Sequence, residues 1–398
     1  MKYIVIVPDG MADHPLEVLG NKTPLQAANT ANLDRLASGG MTGLVQTIPD
    51  GMAPGSDIGN MAIMGYDPLK YHTGRAALEA ANQNLLLKEN EIAFRCNLVT
   101  LSDDRLVDYS AGHIQTKEAG ELIEALNAGI ELDNVRFYTG KSYRHLAILQ
   151  VRNPKDYMKI KTTPPHDILG KNIKKFLPKG AESEFLLSLM ERADRILEEH
   201  DINKVRIDMK ENPANAIWLW GQGTMPSLPA FEEIYGVKGS IISAVDLVSG
   251  IGRLAALEVI DVPGATGYYD TNYRGKAEYA LHSLEHKDFV YIHIEAPDEA
   301  GHNGDVQAKI EAIERIDKDI IAPVLDYAKE HRDVRIVVLP DHPTPIELRT
   351  HTSEPVPFAM FGKGIAQDGS TVLDEASANE KGLKFKSGEE MMKYFMEK

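Results

Sequence analysis

Three segments far apart in the chain share one pattern, an apolar strand-like run that ends at an acidic residue beside a proline. Residues 3–7 precede Pro8-Asp9-Gly10, residues 289–294 precede Glu295-Ala296-Pro297-Asp298, and residues 335–339 precede Pro340-Asp341-His342. Continuous β-branched runs are typical of strands buried on both faces of a parallel sheet. Ligands bind where the carboxyl ends of such strands meet, so the pattern predicts that Asp9, Asp298 and Asp341 gather at one sheet edge.

The spacing of these segments also predicts the fold class. Residues 308–331 have a helical pattern, and strand, helix, strand implies a parallel crossover. Between about Tyr71 and Asn212 the chain is richer in charge, and its strands, such as residues 94–100, alternate more clearly. We therefore expect an α/β fold, an α/β/α sandwich with a mostly parallel central sheet, formed by residues 1–72 and 213–398. Residues 73–212 are expected to form an inserted smaller α+β domain.

Charge and hydropathy exclude several classes of partner. A formal net charge of -16 disfavours nucleic acid as a partner, whereas a small anion remains possible because local arginines and metals can reverse the field. The N-terminal apolar run is too short for a signal peptide, and no stretch reaches membrane-spanning length. We expect a cytoplasmic protein without a membrane partner. The single cysteine, Cys96, excludes an internal disulfide framework.

Histidines beside two of the acidic turns indicate metal binding. Asp298 and His302 are four residues apart, so both side chains can face one ion from a helical turn. His342 follows Asp341 directly, and His351 follows nine residues later. A lone histidine is more often structural than a ligand. The combination favours a divalent-metal centre, with Mn²⁺ or Zn²⁺ suited to mixed Asp and His ligands and Mg²⁺ to carboxylates.

A candidate nucleophile lies in the segment Pro54-Gly55-Ser56-Asp57-Ile58-Gly59-Asn60-Met61-Ala62. The glycines and the following apolar run predict that Ser56 begins a helix, where backbone N–H groups stabilise anions. Metal coordination can activate a serine oxygen as a nucleophile. The same segment also fits a helix-capping serine in a tight turn, and both interpretations stand at this point.

Together these motifs resemble the cofactor-independent phosphoglycerate mutases, most closely their shorter archaeal-type branch, within the alkaline phosphatase superfamily. The resemblance runs from the first strand to about Phe361 and implies an alkaline-phosphatase-like fold. It implies an isomerase that interconverts 3-phosphoglycerate and 2-phosphoglycerate in glycolysis and gluconeogenesis through a phosphoserine at Ser56. It also implies two divalent ions (Mn²⁺, Mg²⁺ or Zn²⁺), one bound by Asp9, Ser56, Asp341 and His342 and the other by Asp298, His302 and His351.

The inserted domain is implied to close over a small phosphorylated anionic substrate. Archaeal members of the branch carry arginines in the segment that here reads Asp108-Tyr109-Ser110-Ala111-Gly112-His113, so His113 stands where an arginine is expected. Some bacterial members are assigned as homoserine kinases, and transfer of the phosphoryl group to water would make the protein a phosphatase or phosphodiesterase. The substrate therefore stays open. The sequence also leaves the oligomeric state open. The residues that fall at the branch's substrate-binding positions are Arg75, Arg95, Asn97, Asp108, His113, Arg144 and His145.

Overall fold

The structure is a computed structural model that describes residues 1–381 and 383–397. The chain forms two compact units, Met1–His72 with Ser227–Lys398 and, inserted between these segments, Thr73–Pro226. Within the described part, no helix is both long and apolar enough to cross a membrane.

The regular elements alternate between strands and helices along most of the chain. The strands are β1 (Lys2–Pro8), β2 (Met41–Val45), β3 (Glu91–Ser102), β4 (Arg105–Asp108), β5 (Val135–Lys141), β6 (Arg144–Gln150), β7 (Ala216–Gly223), β8 (Gly239–Ile242), β9 (Glu258–Val259), β10 (Phe289–Ile294), β11 (Val334–Val338), β12 (Val356–Gly362) and β13 (Lys384–Phe385). The helices are α1 (Pro24–Ala27), α2 (Ala31–Ser38), α3 (Ser56–Ile63), α4 (Pro68–Tyr71), α5 (Arg75–Asn82), α6 (Thr116–Gly129), α7 (Pro154–Tyr157), α8 (Ser183–Glu198), α9 (Asp201–Asp208), α10 (Phe231–Tyr235), α11 (Asp246–Leu254), α12 (Tyr273–Ser283), α13 (Ala296–Asn303), α14 (Val306–Ile316), α15 (Ala322–Glu330), α16 (Glu375–Glu380) and α17 (Gly388–Met396).

The first unit is built on an eight-stranded sheet in the order β13-β2-β12-β11-β1-β10-β8-β9. Strand β1 pairs in parallel with both β10 and β11, whereas β12 runs antiparallel to its two neighbours. The predicted mostly parallel central sheet is therefore confirmed. The carboxyl ends of β1, β10 and β11 lie side by side, which brings the three acidic turns to one edge.

Helices cover both faces of this sheet, as the side chains of β1 show. Ile4 and Ile6 belong to a buried cluster with residues of α2, α12, α14 and α15. Tyr3, by contrast, packs edge-on against Phe395 of α17, with ring centroids 5.7 Å apart. Alternate residues of a strand point to opposite faces, so the predicted α/β/α sandwich is confirmed. The helix predicted over residues 308–331 is α14 and α15, joined by a π-helical turn at Asp317–Ile321.

The second unit is an antiparallel sheet with helices packed on it. Its strands follow the order β4-β3-β6-β5, and β7 pairs with the other side of β3. Helices α6 and α8 pack against β5 and β7. The sequence-based boundary at 212/213 is wrong, because β7 completes this sheet and the unit extends to Pro226. Long-range antiparallel pairing of this kind leaves no local signal in the sequence.

Asp194, on α8, makes the stability of the second unit depend on pH. Burial raises the pKa of its carboxyl to about 7, although a hydrogen bond from the Ile217 N–H opposes the shift. The folded state favours the protonated form, so native stability is lost as pH rises from about 4, the unfolded value, to about 7. Asp194→Asn keeps an oxygen acceptor and is expected to stabilise the protein more at pH 8 than at pH 5. After allowance for solvent screening, we expect the gain in the free energy of unfolding to be larger at pH 8 than at pH 5 by on the order of 1 kcal/mol.

Urea unfolding at the two pH values measures this difference. Asp326→Asn, at an exposed position on α15, is the matched control. Equal stabilisation by Asp194→Asn at both pH values would contradict the assignment.

Candidate metal centre

The carboxyl ends of β1, β10 and β11 carry a cluster of buried carboxylates. Asp9 directly follows β1, Asp341 follows β11, and Asp298 lies in the first turn of α13, just after β10. The exposed fractions of these residues are 0%, 0% and 3%. Buried charges without compensation are costly, so the cluster calls for bound cations or protons.

Asp298, His302 and His351 form the outer group of this cluster. His302 Nε2 lies 2.8 Å from His351 Nε2 and 3.3 Å from Asp298 Oδ2. His351 Nε2 lies 3.4 Å from Asp298 Oδ1. Helix α13 places Asp298 and His302 on one face, as their spacing predicts. Ring nitrogens and carboxylate oxygens thus converge on one point, which is the arrangement of ligands around a metal ion.

Asp9, Ser56, Asp341 and His342 form the inner group. His342 Nε2 lies 3.5 Å from Asp9 Oδ1, 3.5 Å from Asp341 Oδ2 and 3.3 Å from Ser56 Oγ. The rings of His342 and His351 are also in contact, with centroids 4.0 Å apart. His342 therefore lies between the inner and outer groups. The division of the seven residues into two ligand sets remains a prediction.

Ser56 is the first residue of α3 and not its cap. The N-cap position is occupied by Gly55, which has no side chain to donate or accept. The helix-capping interpretation of Ser56 is therefore wrong. Its Oγ faces His342 Nε2 instead. Gly59, on the next turn, allows α3 to approach the inner group, because a Cβ there would lie 2.5 Å from the Asp341 carbonyl oxygen.

The electrostatics of the centre favour cations. Burial, together with the carboxylates of Asp341, Glu295 and Asp298, raises the pKa of Asp9 well above its usual range. Burial also opposes ionisation of Asp298, but hydrogen bonds from His302 and His351 outweigh it and hold the pKa of Asp298 well below its usual range.

Two buried carboxylate oxygens of the centre, Asp9 Oδ1 and Glu295 Oε2, accept no hydrogen bond from the described residues. Such orphaned acceptors, beside imidazole nitrogens, fit divalent cations. The donor set therefore supports binding of divalent metals.

Asn60, which the sequence did not single out, holds Asp341 in place. Asn60 Nδ2 donates to Asp341 Oδ2 at 2.8 Å and to the Ser56 carbonyl oxygen at 2.9 Å. Tyr291 Oη donates to Asn60 Oδ1 at 2.6 Å, which fixes the orientation of the amide. The available signal was the spacing of Asn60 four residues after Ser56, which places both on one face of α3.

Asn60→Leu is expected to lower the affinity for Mn²⁺ about tenfold or more, because partners that orient metal ligands contribute on that scale. Tyr291→Phe removes only the contact that orients the amide and is expected to have a smaller effect. Competition with a chelator of known affinity measures both variants. An Asn60→Leu protein that is folded and binds Mn²⁺ like the native protein would show that Asp341 needs no such support.

Most of the predicted substrate-binding residues are involved in contacts within the second unit. Arg95 pairs with Glu79 at 2.9 Å and lies over the Trp220 ring, and Asn97 Oδ1 accepts from Trp220 Nε1 at 3.0 Å. His113, in a left-handed turn, contacts the Tyr143 ring, over which the Arg144 guanidinium also lies. Arg75 begins α5.

Asp108 has a structural role in its turn, and His145 is buried in the second unit. The Asp108 carboxylate accepts hydrogen bonds from the backbone N–H groups of Ser110 and Gly112 and from Asn212 Nδ2, so it organises its own turn. His145 pairs across the sheet with Cys96, whereas its neighbour Arg144 pairs with Asn97. Because successive residues of a strand point to opposite faces, His145 lies on the other face from Arg144. It is buried, and burial lowers its pKa to about 3, so it is a neutral group.

Comparison with known proteins gives one consistent family. The family model for 2,3-bisphosphoglycerate-independent phosphoglycerate mutase matches residues 37–203. A 2,3-bisphosphoglycerate-independent phosphoglycerate mutase of Methanothrix thermoacetophila is 51% identical, over 99% of both chains. A protein of Geobacter sulfurreducens, named a probable enzyme of the same kind, is 46% identical over 100% of both chains.

Two solved structures at 30% identity match over almost the whole chain. The cofactor-independent phosphoglycerate mutase from Thermoplasma acidophilum has a TM-score of 0.67 and aligns over 100% of this chain and 99% of its own. A protein from Pyrococcus horikoshii has a TM-score of 0.83 and aligns over 99% of this chain and 97% of its own.

Proposed function

The chain belongs to the 2,3-bisphosphoglycerate-independent phosphoglycerate mutase family, and from this premise we propose that it interconverts 3-phosphoglycerate and 2-phosphoglycerate through a phosphoserine at Ser56. One observation carries the assignment of the nucleophile. Ser56 Oγ, at the start of α3, lies beside the ring nitrogen of His342, which itself contacts carboxylate oxygens of Asp9 and Asp341.

In the first proposed step, Ser56 Oγ attacks the phosphorus of 3-phosphoglycerate. A phosphorus–oxygen bond to Ser56 forms, and the bond to the substrate's O3 breaks. The O3 atom leaves with a proton, and the serine hydroxyl loses one, so the step is balanced. Ser56 is the first residue of α3, and the backbone N–H groups at a helix N-terminus stabilise anions, so a phosphoryl group on Ser56 would be favoured there.

In the second proposed step, the 2-hydroxyl of bound glycerate attacks the phosphoserine. This regenerates the Ser56 hydroxyl and gives 2-phosphoglycerate, so no diphosphoglycerate is consumed. Water must be kept from the phosphoserine, because its attack would release inorganic phosphate. The lid role of the second unit, which would exclude water, stays a prediction.

We propose that two divalent cations are the cofactors, held by the seven Asp, Ser and His residues of the inner and outer groups. When bound, they would lower the pKa of the serine hydroxyl and neutralise charge on the transferring phosphoryl oxygens. Mixed carboxylate and imidazole donors suit Mn²⁺ and Zn²⁺, and Mg²⁺ is also compatible with the carboxylates. Because the proposed substrates are intermediates of glycolysis, we propose a cytoplasmic location.

For the substrate, we propose that Arg95 and Arg144 recognise its anionic groups. Planar guanidinium groups suit phosphate and carboxylate oxygens. Asn97, the cross-strand partner of Arg144, shares their face of the sheet. The roles of Arg75 and His113 stay predictions, as does the role of Asp108. His145 is a weaker candidate than the others, because it is buried on the opposite face.

An enolase-coupled assay with 3-phosphoglycerate, Mn²⁺ and no diphosphoglycerate tests the proposed function. We expect steady formation of 2-phosphoglycerate without release of inorganic phosphate. Release of phosphate alone would replace the proposal with a phosphatase. Phosphorylation of homoserine by ATP, with no mutase activity, would replace it with the kinase alternative.

A further inference from the structure

His293 lies on β10, in the middle of the sheet, and the sequence analysis gave it no role beyond membership of that strand. The residue is fully buried, and its main-chain oxygen accepts a hydrogen bond from Lys276 Nζ at 2.7 Å. Its Nε2 lies 2.8 Å from Asp9 Oδ2. A polar side chain inside an otherwise apolar central strand is costly unless it is paired, so this contact accounts for its presence.

The hydrogen bonds of the Ser243 hydroxyl indicate which imidazole nitrogen carries the proton. The Val245 N–H donates to Ser243 Oγ at 3.0 Å, which occupies an acceptor position of that hydroxyl. The Ser243 O–H has two acceptors within reach, the Val245 carbonyl oxygen at 3.4 Å and His293 Nδ1 at 3.2 Å, and we assign it to the nearer one. With Nδ1 as an acceptor, the neutral ring carries its proton on Nε2 and donates it to Asp9.

The two oxygens of Asp9 consequently have different roles. Oδ2 accepts from His293, whereas Oδ1 is the orphaned oxygen that lies 3.5 Å from His342 Nε2 in the inner group. A hydrogen bond to one oxygen of a carboxylate restricts its rotation and keeps the other oxygen aimed in one direction. Glu295 Oε2, at 3.7 Å from His293 Nε2, is too far to compete for the proton.

We propose that His293 is a positioning residue that acts through Asp9, holding Asp9 Oδ1 towards the cation beside Ser56. This inference rests on the proposed function, because it assumes that the inner group binds a divalent ion. The alternative is that His293 binds the metal ion directly, since possible ligand atoms of Asp9, His293 and Asp341 lie within 4.8 Å of one another. A ligand role requires a lone pair on Nε2, whereas positioning requires an N–H there.

Two substitutions at the same site separate these roles. His293→Gln keeps an N–H donor at about the reach of Nε2 but replaces the imidazole ligand with an amide. His293→Leu removes both the donor and the ligand. The measurement is Mn²⁺ affinity, from the free-ion signal in electron paramagnetic resonance, together with thermal unfolding of the metal-free proteins.

We expect His293→Leu to weaken binding of one Mn²⁺ ion by about tenfold or more, and His293→Gln to stay within about threefold of the native protein. Equal losses in both variants would assign a ligand role, and native affinity in the leucine variant would remove any role for His293. Either result overturns the proposal, as does a native protein that binds no Mn²⁺.

Ser243→Ala covers the case in which the leucine variant does not fold. It leaves the imidazole in place but removes the hydroxyl that fixes its tautomer, so we expect a several-fold weaker affinity for Mn²⁺. Unchanged affinity in this variant would overturn the proposal. Because these assays contain no substrate, their outcome is separate from that of the mutase assay: native Mn²⁺ binding without turnover would reject the proposed function alone.

Discussion

Replacement of Ser56 by alanine is expected to abolish turnover of 3-phosphoglycerate, with kcat reduced by at least about 10³-fold. The substitution removes the oxygen that is proposed to carry the phosphoryl group, and water in its place cannot form the intermediate. Asp9, Asp341 and His342 remain, so binding of Mn²⁺ is expected to weaken far less than turnover. The enolase-coupled assay and a Mn²⁺ titration measure the two quantities.

Ser38→Ala, at an exposed position on α2, is the matched control and is expected to keep full activity. In the native enzyme, a phosphorylated peptide containing Ser56 should appear in mass spectra after rapid acid quench with substrate, and should be missing in Ser56→Ala. Near-native turnover by Ser56→Ala would exclude Ser56 as the nucleophile.

Asp341→Asn is expected to have the next largest effect, a loss of about 10²- to 10³-fold in both Mn²⁺ affinity and kcat/KM. The substitution preserves size but removes the anionic charge. It also places an N–H₂ group against donors, because Oδ1 accepts from the Gly10 and His342 N–H groups and Oδ2 accepts from Asn60. Neither orientation of the amide satisfies all of these contacts.

Circular dichroism of the metal-free variant checks that Asp341→Asn is folded, and Asp326→Asn, at an exposed position on α15, is again the control. A folded Asp341→Asn protein with native Mn²⁺ affinity would exclude Asp341 from the ligand set. Native affinity combined with lost turnover would limit its role to the chemical step.

The sheet and the predicted centre follow from local sequence because the same local pattern recurs. An apolar β-branched run specifies a buried strand, and the acidic residue after it must lie at the carboxyl end. Parallel pairing of β1 with β10 and β11 then brings Asp9, Asp298 and Asp341 together whatever their separation in the chain. The Asp298–His302 spacing works similarly, since helical geometry alone places both side chains on one face.

The residues that support this centre could not be predicted in the same way. His293 and Asp9 meet because β1 and β10 are neighbours in a particular register, and Tyr291 meets Asn60 because α3 packs on that sheet. Neither contact has a sequence signature. The family resemblance also predicted that Arg144 and His145 both bind substrate. The geometry of β6 instead puts their side chains on opposite faces of the sheet. The domain boundary failed for a related reason, because β7 joins the second unit by pairing with the distant β3.

The most direct test of the central claim is ³¹P NMR of 3-phosphoglycerate with the native enzyme loaded with Mg²⁺ or Zn²⁺, in the absence of diphosphoglycerate. These ions avoid the line broadening that Mn²⁺ causes. We predict that a 2-phosphoglycerate signal grows to a stable equilibrium with 3-phosphoglycerate and that no inorganic phosphate appears. A growing signal of inorganic phosphate would contradict the account. So would a spectrum that stays unchanged with each metal, provided that the enolase-coupled assay with Mn²⁺ is negative as well.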